Sequence, residues 1–268
     1  MVEIQEINGV VCARGTTNPS RGSIDIYVFH VDGQLIDTGP QSLLDKFISF
    51  FEESDIDQVI LTHHHEDHTG GARWIQDQRK APIYIHPSAV ELCAEDGEYP
   101  LYRQIVWGGR EAFTAQPLPN FFQSRTSKWE AIYTPDHAFD HVALLNHDKG
   151  MLFSGDLYVK PRPKVMLSFE SVPVIMDSIR KVLTYDFAEM FCSHAGYVHN
   201  GKEMLRKKLD YMENMSEQII DLYTQGLSDK EIQEKLMPGT NPIIQLSDHE
   251  WDTMHFITSV LNHYRNKQ

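Results

Sequence analysis

VILTHHHEDHTGG, residues 59–71, decides how this chain is read. A short apolar run stops at Thr62, the next six residues supply four imidazoles and two carboxylates, and a glycine pair then turns the chain. Alternate residues of a strand share a face, so His63 and His65 are expected to point one way. A turn directly after them swings Asp67 and His68 toward the same cavity, while His64 and Glu66 face elsewhere. Four ligand-type residues at the end of an apolar strand read as the start of a metal site rather than a solvated tract.

One turn supplies too few donors for such a site, and the remainder are sought at other strand ends, where loops carry function on a rigid scaffold. YTPDH places His137 after a strand, LFSGD places Asp156 after another, and MFCSH places His194 after a third. The surrounding pattern fits. VEIQEINGVVCARG, SIDIYVFHVDG and QLIDTG read as strands, with Asp32-Gly33 as a hairpin turn. From Ser42 the spacing of Leu43, Leu44, Phe47, Phe50 and Phe51 becomes helical before DQVILTH resumes as a short buried strand. GGARWIQDQ opens a helix and APIYIHP is a further strand, and this alternation predicts a layered α/β fold.

Residues 95–128 are broken by Gly108-Gly109, Pro117 and Pro119 into a helix around YRQIVWGG and a loop expected to line the site. SKWEAIYTPDH is then a strand, HVALLNHDKGMLFSGD a hairpin turning at Asp148-Lys149-Gly150, 172–184 a helix, and AEMFCSH a last strand. After Gly201 only helical periodicity remains. Leu205, Leu209, Met212, Ile219 and Tyr223 mark one apolar stripe, Gly226 suits a C-cap, and SDKE at 228–231 and SDHE at 247–250 both match the capping box, which predicts a three-helix tail.

In a 268-residue chain with 41% hydrophobic content there is room for one sizeable domain and an appendage. The formal charge of −14 speaks against a protein that grips a nucleic-acid backbone. The opening MVEIQEINGV lacks a basic region followed by a long apolar one, and no run approaches the roughly 18 apolar residues of a membrane span, so a cytoplasmic protein without membrane contacts is expected. Cys12, Cys93 and Cys192 form no C-x-x-C and read as small buried hydrophobes.

THHHEDHTGG resembles the H-x-H-x-D-H signature of the metallo-β-lactamase superfamily, and LIDTG, TPDHAFDH, SGD and SHAG are similar to its other motifs in order and spacing. The resemblance implies a four-layer αββα sandwich as a catalytic domain over residues 1–200, with 201–268 a helical extension packed on or beside it. It implies two divalent ions. His63, His65 and His137 hold the first, Asp67, His68 and His194 the second, and Asp156 bridges them. Asp37 and His141 orient these ligands by hydrogen bonds, as outer carboxylates and imidazoles do. Several true β-lactamases carry a cysteine where this chain has Asp156, which counts against antibiotic hydrolysis. His65, where flavodiiron oxidoreductases carry a glutamate, counts against a redox di-iron protein.

Nitrogen and carboxylate oxygen without thiolate suit zinc and also admit iron or manganese. The reading is a binuclear metal-dependent hydrolase of the glyoxalase II-like kind, in which a metal-bridging hydroxide, oriented by Asp67, attacks a thioester, lactone or ester. In LYVKPRPKV, Lys160, Arg162 and Lys164 on alternate positions are expected to meet a small anionic substrate, and Tyr158 to donate to an oxyanion. The alternative is a ribonuclease or phosphodiesterase of the lactamase-β-2-like kind, which uses the same pair of ions.

Overall fold

Two tight turns with both central residues at positive φ, Asn8-Gly9 and Asp32-Gly33, fold the first strands of the chain back on each other. In the computed structural model, which describes residues 2–18, 23–135, 137–239 and 241–267, they open a seven-stranded sheet in sequential order. Its strands are β1 (Glu3–Ile7), β2 (Val10–Thr17), β3 (Ile24–Val31), β4 (Gln34–Ile36), β5 (Gln58–Ile60), β6 (Ile83–Ile85) and β7 (Gln116–Pro117). The pairing is antiparallel as far as β4 and parallel from there on. The parallel half needs crossovers, and α1 (Leu44–Glu53), α2 (Glu66–Thr69), α3 (Ala72–Gln78), α4 (Val90–Cys93) and α5 (Leu101–Trp107) lie in them.

The second sheet contains β8 (Phe121–Gln123), β9 (Lys128–Tyr133), β10 (Val142–Asn146), β11 (Met151–Phe153), β13 (Glu189–Cys192) and β14 (Gly196–Tyr197), ordered β14-β13-β11-β10-β9-β8. A separate two-stranded ladder pairs β12 (Met166–Leu167) with β15 (Trp251–Asp252). Helix α6 (Val172–Leu183) crosses from β12 to β13, and α7 (Gly201–Thr224), α8 (Asp229–Leu236), α9 (Pro242–Leu246) and α10 (Met254–Asn266) follow β14.

Three apolar clusters define the layers. Phe29 meets Phe153 and Phe191 edge-on, with ring centroids 5.4 and 5.6 Å apart, in the core between the sheets. Phe47, Phe50, Phe51 and Ile75 of α1 and α3 cover the outer face of the first sheet. Ile179 and Val182 of α6, Leu205 and Met212 of α7, and Phe256 and Val260 of α10 cover the second, sharing one cluster with Ala143, Leu145 and Leu152. The architecture is the four-layer αββα sandwich with C-terminal helices. Among the described residues, no helix is long and apolar enough to cross a membrane.

The structure departs from the sequence reading in several places. VEIQEINGVVCARG is not one strand but the β1–β2 hairpin. Among the described residues the tail holds four helices rather than three, and it also holds β15, whose two-residue ladder is too short for periodicity to register. The SDKE box does cap α8, with Ser228 accepting from the Glu231 amide and Glu231 reaching back. SDHE caps no helix. Asp248 and His249 both have positive φ, outside the range of the first helical turn that should follow Ser247, and the Ser247 hydroxyl accepts from the Trp251 amide instead, at 3.0 Å.

Candidate metal centre

β5 ends at Ile60, three residues short of the histidines, so His63 and His65 project from an extended loop and not from a strand. Asp37 fixes that loop. Its amide donates to the Ile60 carbonyl at 3.0 Å, and its carboxylate accepts from the Thr62 amide at 2.8 Å and from the Thr62 hydroxyl at 3.0 Å. Asp37 itself stands at φ 59°, a conformation costly for a residue with a Cβ and one that persists at sites held from several sides. The chain then enters α2, whose first turn carries Asp67 and His68. Gly70 closes it where any side chain would fail, because a Cβ would lie 2.2 Å from the Gln41 amide nitrogen.

The far donors arrive from the second sheet. His137 follows β9, Asp156 follows β11 and His194 follows β13. Gly155 at φ 50° lets Asp156 turn in; a Cβ there would meet His141 Nε2 at 2.5 Å. His63, His65 and His137 offer ligand atoms within 4.8 Å of one another, as do Asp67, His68 and His194, and so do His63, His68 and Asp156. His65 Nδ1 lies 3.1 Å from His137 Nε2. Asp156 faces both groups: Oδ2 is 3.3 Å from His137 Nε2 and 3.2 Å from His194 Nε2, and Oδ1 is 3.5 Å from His68 Nε2. Asp67 Oδ2 is 3.3 Å from His194 Nε2.

These donors are held from behind. His68 Nδ1 is 2.8 Å from Asp37 Oδ2, His137 Nδ1 is 2.8 Å from Glu170 Oε1, and His194 Nδ1 is 2.8 Å from the Asp25 carbonyl. In each neutral ring this leaves the Nε2 lone pair aimed inward. His141 is buried beside the centre, and its Nε2 accepts from the Asp156 amide at 3.0 Å while Nδ1 meets Thr134. Burial, with His137 next, pushes the His141 pKa down to about 3, so the ring stays neutral and keeps its acceptor.

Burial, reinforced by the neighbouring rings, also drives His63 and His65 well below the usual histidine range. His68 and His194 go the other way: burial opposes their cations, but Asp37, Asp67 and Asp156 around His68, and Asp156 and Asp67 beside His194, outweigh it. Asp156 is held well below the carboxylate range because His194 and His68 overcome its burial. His63 Nε2, His68 Nε2 and Asp156 Oδ1 are buried without a hydrogen-bond partner among the described residues. Buried polar atoms are normally satisfied. Orphaned imidazole and carboxylate atoms that converge from three elements fit a divalent cation of the zinc, iron or manganese type.

Tyr158 is buried in the apolar cluster shared with α6, α7 and α10. Lys160, Arg162 and Lys164 are exposed along the segment that leaves Asp156. Four groups escaped the sequence reading. Glu66, assigned no partner there, is fully buried and forms a two-pronged ion pair with Arg103 of α5, at 2.6 and 2.8 Å; Arg103 also reaches Glu250 at 3.2 Å. Glu170 backs His137. Asp140, fully buried, lies 2.7 Å from His64 Nδ1. Lys208 of α7 donates to the carbonyls of Leu157 and Tyr158 at 2.6 and 3.0 Å. A mid-helix Lys or Arg carries no local mark of such a role.

A family model described as the metallo-beta-lactamase superfamily matches residues 32–194. A beta-lactamase-like protein 2 homolog of Drosophila melanogaster is 25% identical over 205 residues, covering 71% of this chain and 64% of that protein. A thioesterase of Emericella nidulans is 31% identical over 127 residues, covering 46% of this chain and 31% of the other. This chain thus spans from under a third to just under two-thirds of the length of these two relatives. A beta-lactamase domain protein from Burkholderia ambifaria superposes with a TM-score of 0.70 at 16% identity, covering 97% of this chain and 88% of its own, which bears on the fold alone. With motif, donor geometry and family match in agreement, the chain belongs to the metallo-beta-lactamase superfamily.

Proposed function

We propose that this protein is a metal-dependent hydrolase of thioesters or esters, lactones included, with His63, His65 and His137 holding one divalent ion, Asp67, His68 and His194 a second, and Asp156 shared between them. The observation that carries the reading is the convergence of these seven side chains with three buried donor atoms left unpaired. Zinc is the metal that the nitrogen and oxygen set suits best. Such ions supply Lewis acidity toward a carbonyl oxygen and bring the acidity of water toward neutrality.

The chain's own residues do the rest. Asp67 is kept ionised because His68 and His194 overcome its burial, so its carboxylate offers an acceptor for a proton of the attacking water. Asp37, Glu170 and the Asp25 carbonyl fix the rings of His68, His137 and His194, so the donors need no rearrangement. The thioesterase named among the relatives supports the carbonyl reading.

The competing reading, phosphodiester cleavage, draws on the longer match to the beta-lactamase-like protein 2 homolog and is opposed by the −14 charge. One experiment separates them: metal analysis of the purified protein alongside a screen of thioesters, lactones, phosphodiesters and short RNA. Two metal ions per chain with thioester or ester turnover is the expected result. Cleavage confined to phosphodiesters overturns the assignment.

A further inference from the structure

Two aromatic side chains, Phe169 and Trp107, lie against donor rings, and a third, Phe139, packs on His64, the ring next to His65. The Phe169 ring centroid lies 6.2 Å from that of His65, Trp107 lies 6.3 Å from His194, and Phe139 lies 4.9 Å from His64. Phe169 and Phe139 are 53% and 50% exposed, so both rings offer apolar surface to solvent.

Neither ring is on a loose segment. Phe169 stands on a turn where the Glu170 amide donates to the Leu167 carbonyl at 3.1 Å, the Leu167 amide to the Glu170 carboxylate at 2.7 Å, and the Ser168 amide to the Glu250 carbonyl at 2.9 Å. The same Glu170 backs His137, so this turn is fastened to the cluster itself. The Phe139 carbonyl accepts from the Tyr133 hydroxyl at 2.8 Å, and the next residue, Asp140, is tied to His64. Trp107 closes α5, which Arg103 anchors to Glu66.

Fixed apolar surface at the mouth of a polar site lowers the ordering cost of binding an apolar group. By contrast, the cations of residues 160–164 are exposed and contact none of the seven donors among the described interactions. We infer that the site selects substrates whose acyl group is an apolar chain or ring, laid against Phe169 and Phe139, over small anionic acyl groups. This rests on the proposed thioester or ester hydrolysis. In that reaction the oxygen of water bonds to the carbonyl carbon, the carbon–sulfur or carbon–oxygen bond breaks, and the thiol or alcohol leaves with a proton, giving a carboxylate.

The test uses the full chain loaded with two equivalents of zinc and the acetyl, octanoyl and succinyl thioesters of N-acetylcysteamine. From acetyl to octanoyl, kcat/KM rises roughly 10- to 100-fold, because each methylene laid on the rings leaves water. Succinyl falls below octanoyl. Phe169→Ala and Phe139→Ala each lower the octanoyl-to-acetyl ratio by about 3- to 10-fold, and exposed rings can be truncated without opening the core. Calorimetric titration gives a second readout: decanoate binds tighter than acetate, and Phe169→Ala narrows the gap. A flat chain-length profile, or succinyl preferred over octanoyl, overturns the inference while hydrolysis stands. No turnover of any thioester, ester or lactone overturns the hydrolase reading, and this inference with it.

Discussion

At one end of the donor cluster the imidazoles of His63, His65 and His137 meet, and burial drives the pKa of His63 and His65 far below the usual range; at the other, Asp67 and Asp156 raise those of His68 and His194. His63 and His65 stand as free bases, ready for a cation. The carboxylate end neutralises its own charge with protons, and a cation taken up there must displace them. What the difference teaches is that the two halves have different outer partners as well as a common one. Glu170 backs the first through His137, Asp37 backs the second through His68 and steadies the His63 loop through Thr62, and Asp156 faces both.

Removing Asp156 therefore breaks the comparison altogether. Asp156→Ala is expected to lower the metal content from two ions per chain toward one and to cut kcat/KM by at least about a thousandfold, given the several kcal/mol that metal-assisted charge stabilisation supplies. Metal analysis paired with steady-state kinetics checks both halves. A variant that retains two ions and full turnover refutes the shared role.

The next two substitutions separate the ends. Asp37→Asn removes the carboxylate that accepts from Thr62 and Ser193 and orients His68. Loss of such a partner costs roughly 10- to 100-fold in metal affinity, and the larger loss should fall on the step that fills the His68 end, which Asp37 touches directly. Glu170→Gln keeps an acceptor near His137 but removes its charge, so a smaller loss, about tenfold or less, is expected in the other step. Chelator competition resolves the steps. Were both variants to weaken the same step, the two-ended description would be wrong.

How much of this was legible depended on the range of the interaction. His63, His65, Asp67 and His68 sit in one hexapeptide, and His137, Asp156 and His194 each follow an apolar strand, so hydrophobic period and residue type sufficed to name them. The same periodicity marked most sandwich strands and α1, α6 and α7, but not β7 and β8, which lie in the stretch 95–128 read as a helix and a loop, nor β14. It failed for β15, for α9, and for the 247–250 turn, where the backbone goes against the local capping signal. It failed as well for Arg103, which meets Glu66 across 37 residues and Glu250 across 147, and for Lys208, some 50 residues from the carbonyls it binds. Partners so far apart in the chain meet only once the layers have packed. Tyr158 shows the converse: two residues from Asp156, it was read as an oxyanion donor, yet its ring packs into the apolar cluster.

Lys208 sharpens the comparison most finely, because it reaches the shared ligand from the helical tail. Lys208 is 6% exposed, and its ammonium ties down Leu157 and Tyr158, directly ahead of Val159 at φ 49°, a conformation that β-branched residues avoid. Burial, against which Glu170, Cys192 and Asp156 pull only in part, lowers its pKa from 10.5 to about 8. The folded protein gives up this proton near pH 8, whereas the unfolded chain keeps it to about pH 10.5. The unfolded state thus binds more protons between those values, and stability contributed by this site rises with pH there, by at most about 1.4 kcal/mol per pH unit. Below pH 8 the cost of the buried cation is present in full. Lys208→Met removes both that cost and the two hydrogen bonds, terms of similar size, a few kcal/mol each, so the variants should differ little at pH 7. Between pH 8 and 10 the wild type should gain roughly 2 kcal/mol on Lys208→Met, read from urea unfolding at matched pH. Curves that stay parallel across that window would show that Lys208 does not titrate in the fold, and that the tail holds the Asp156 turn through a permanent cation.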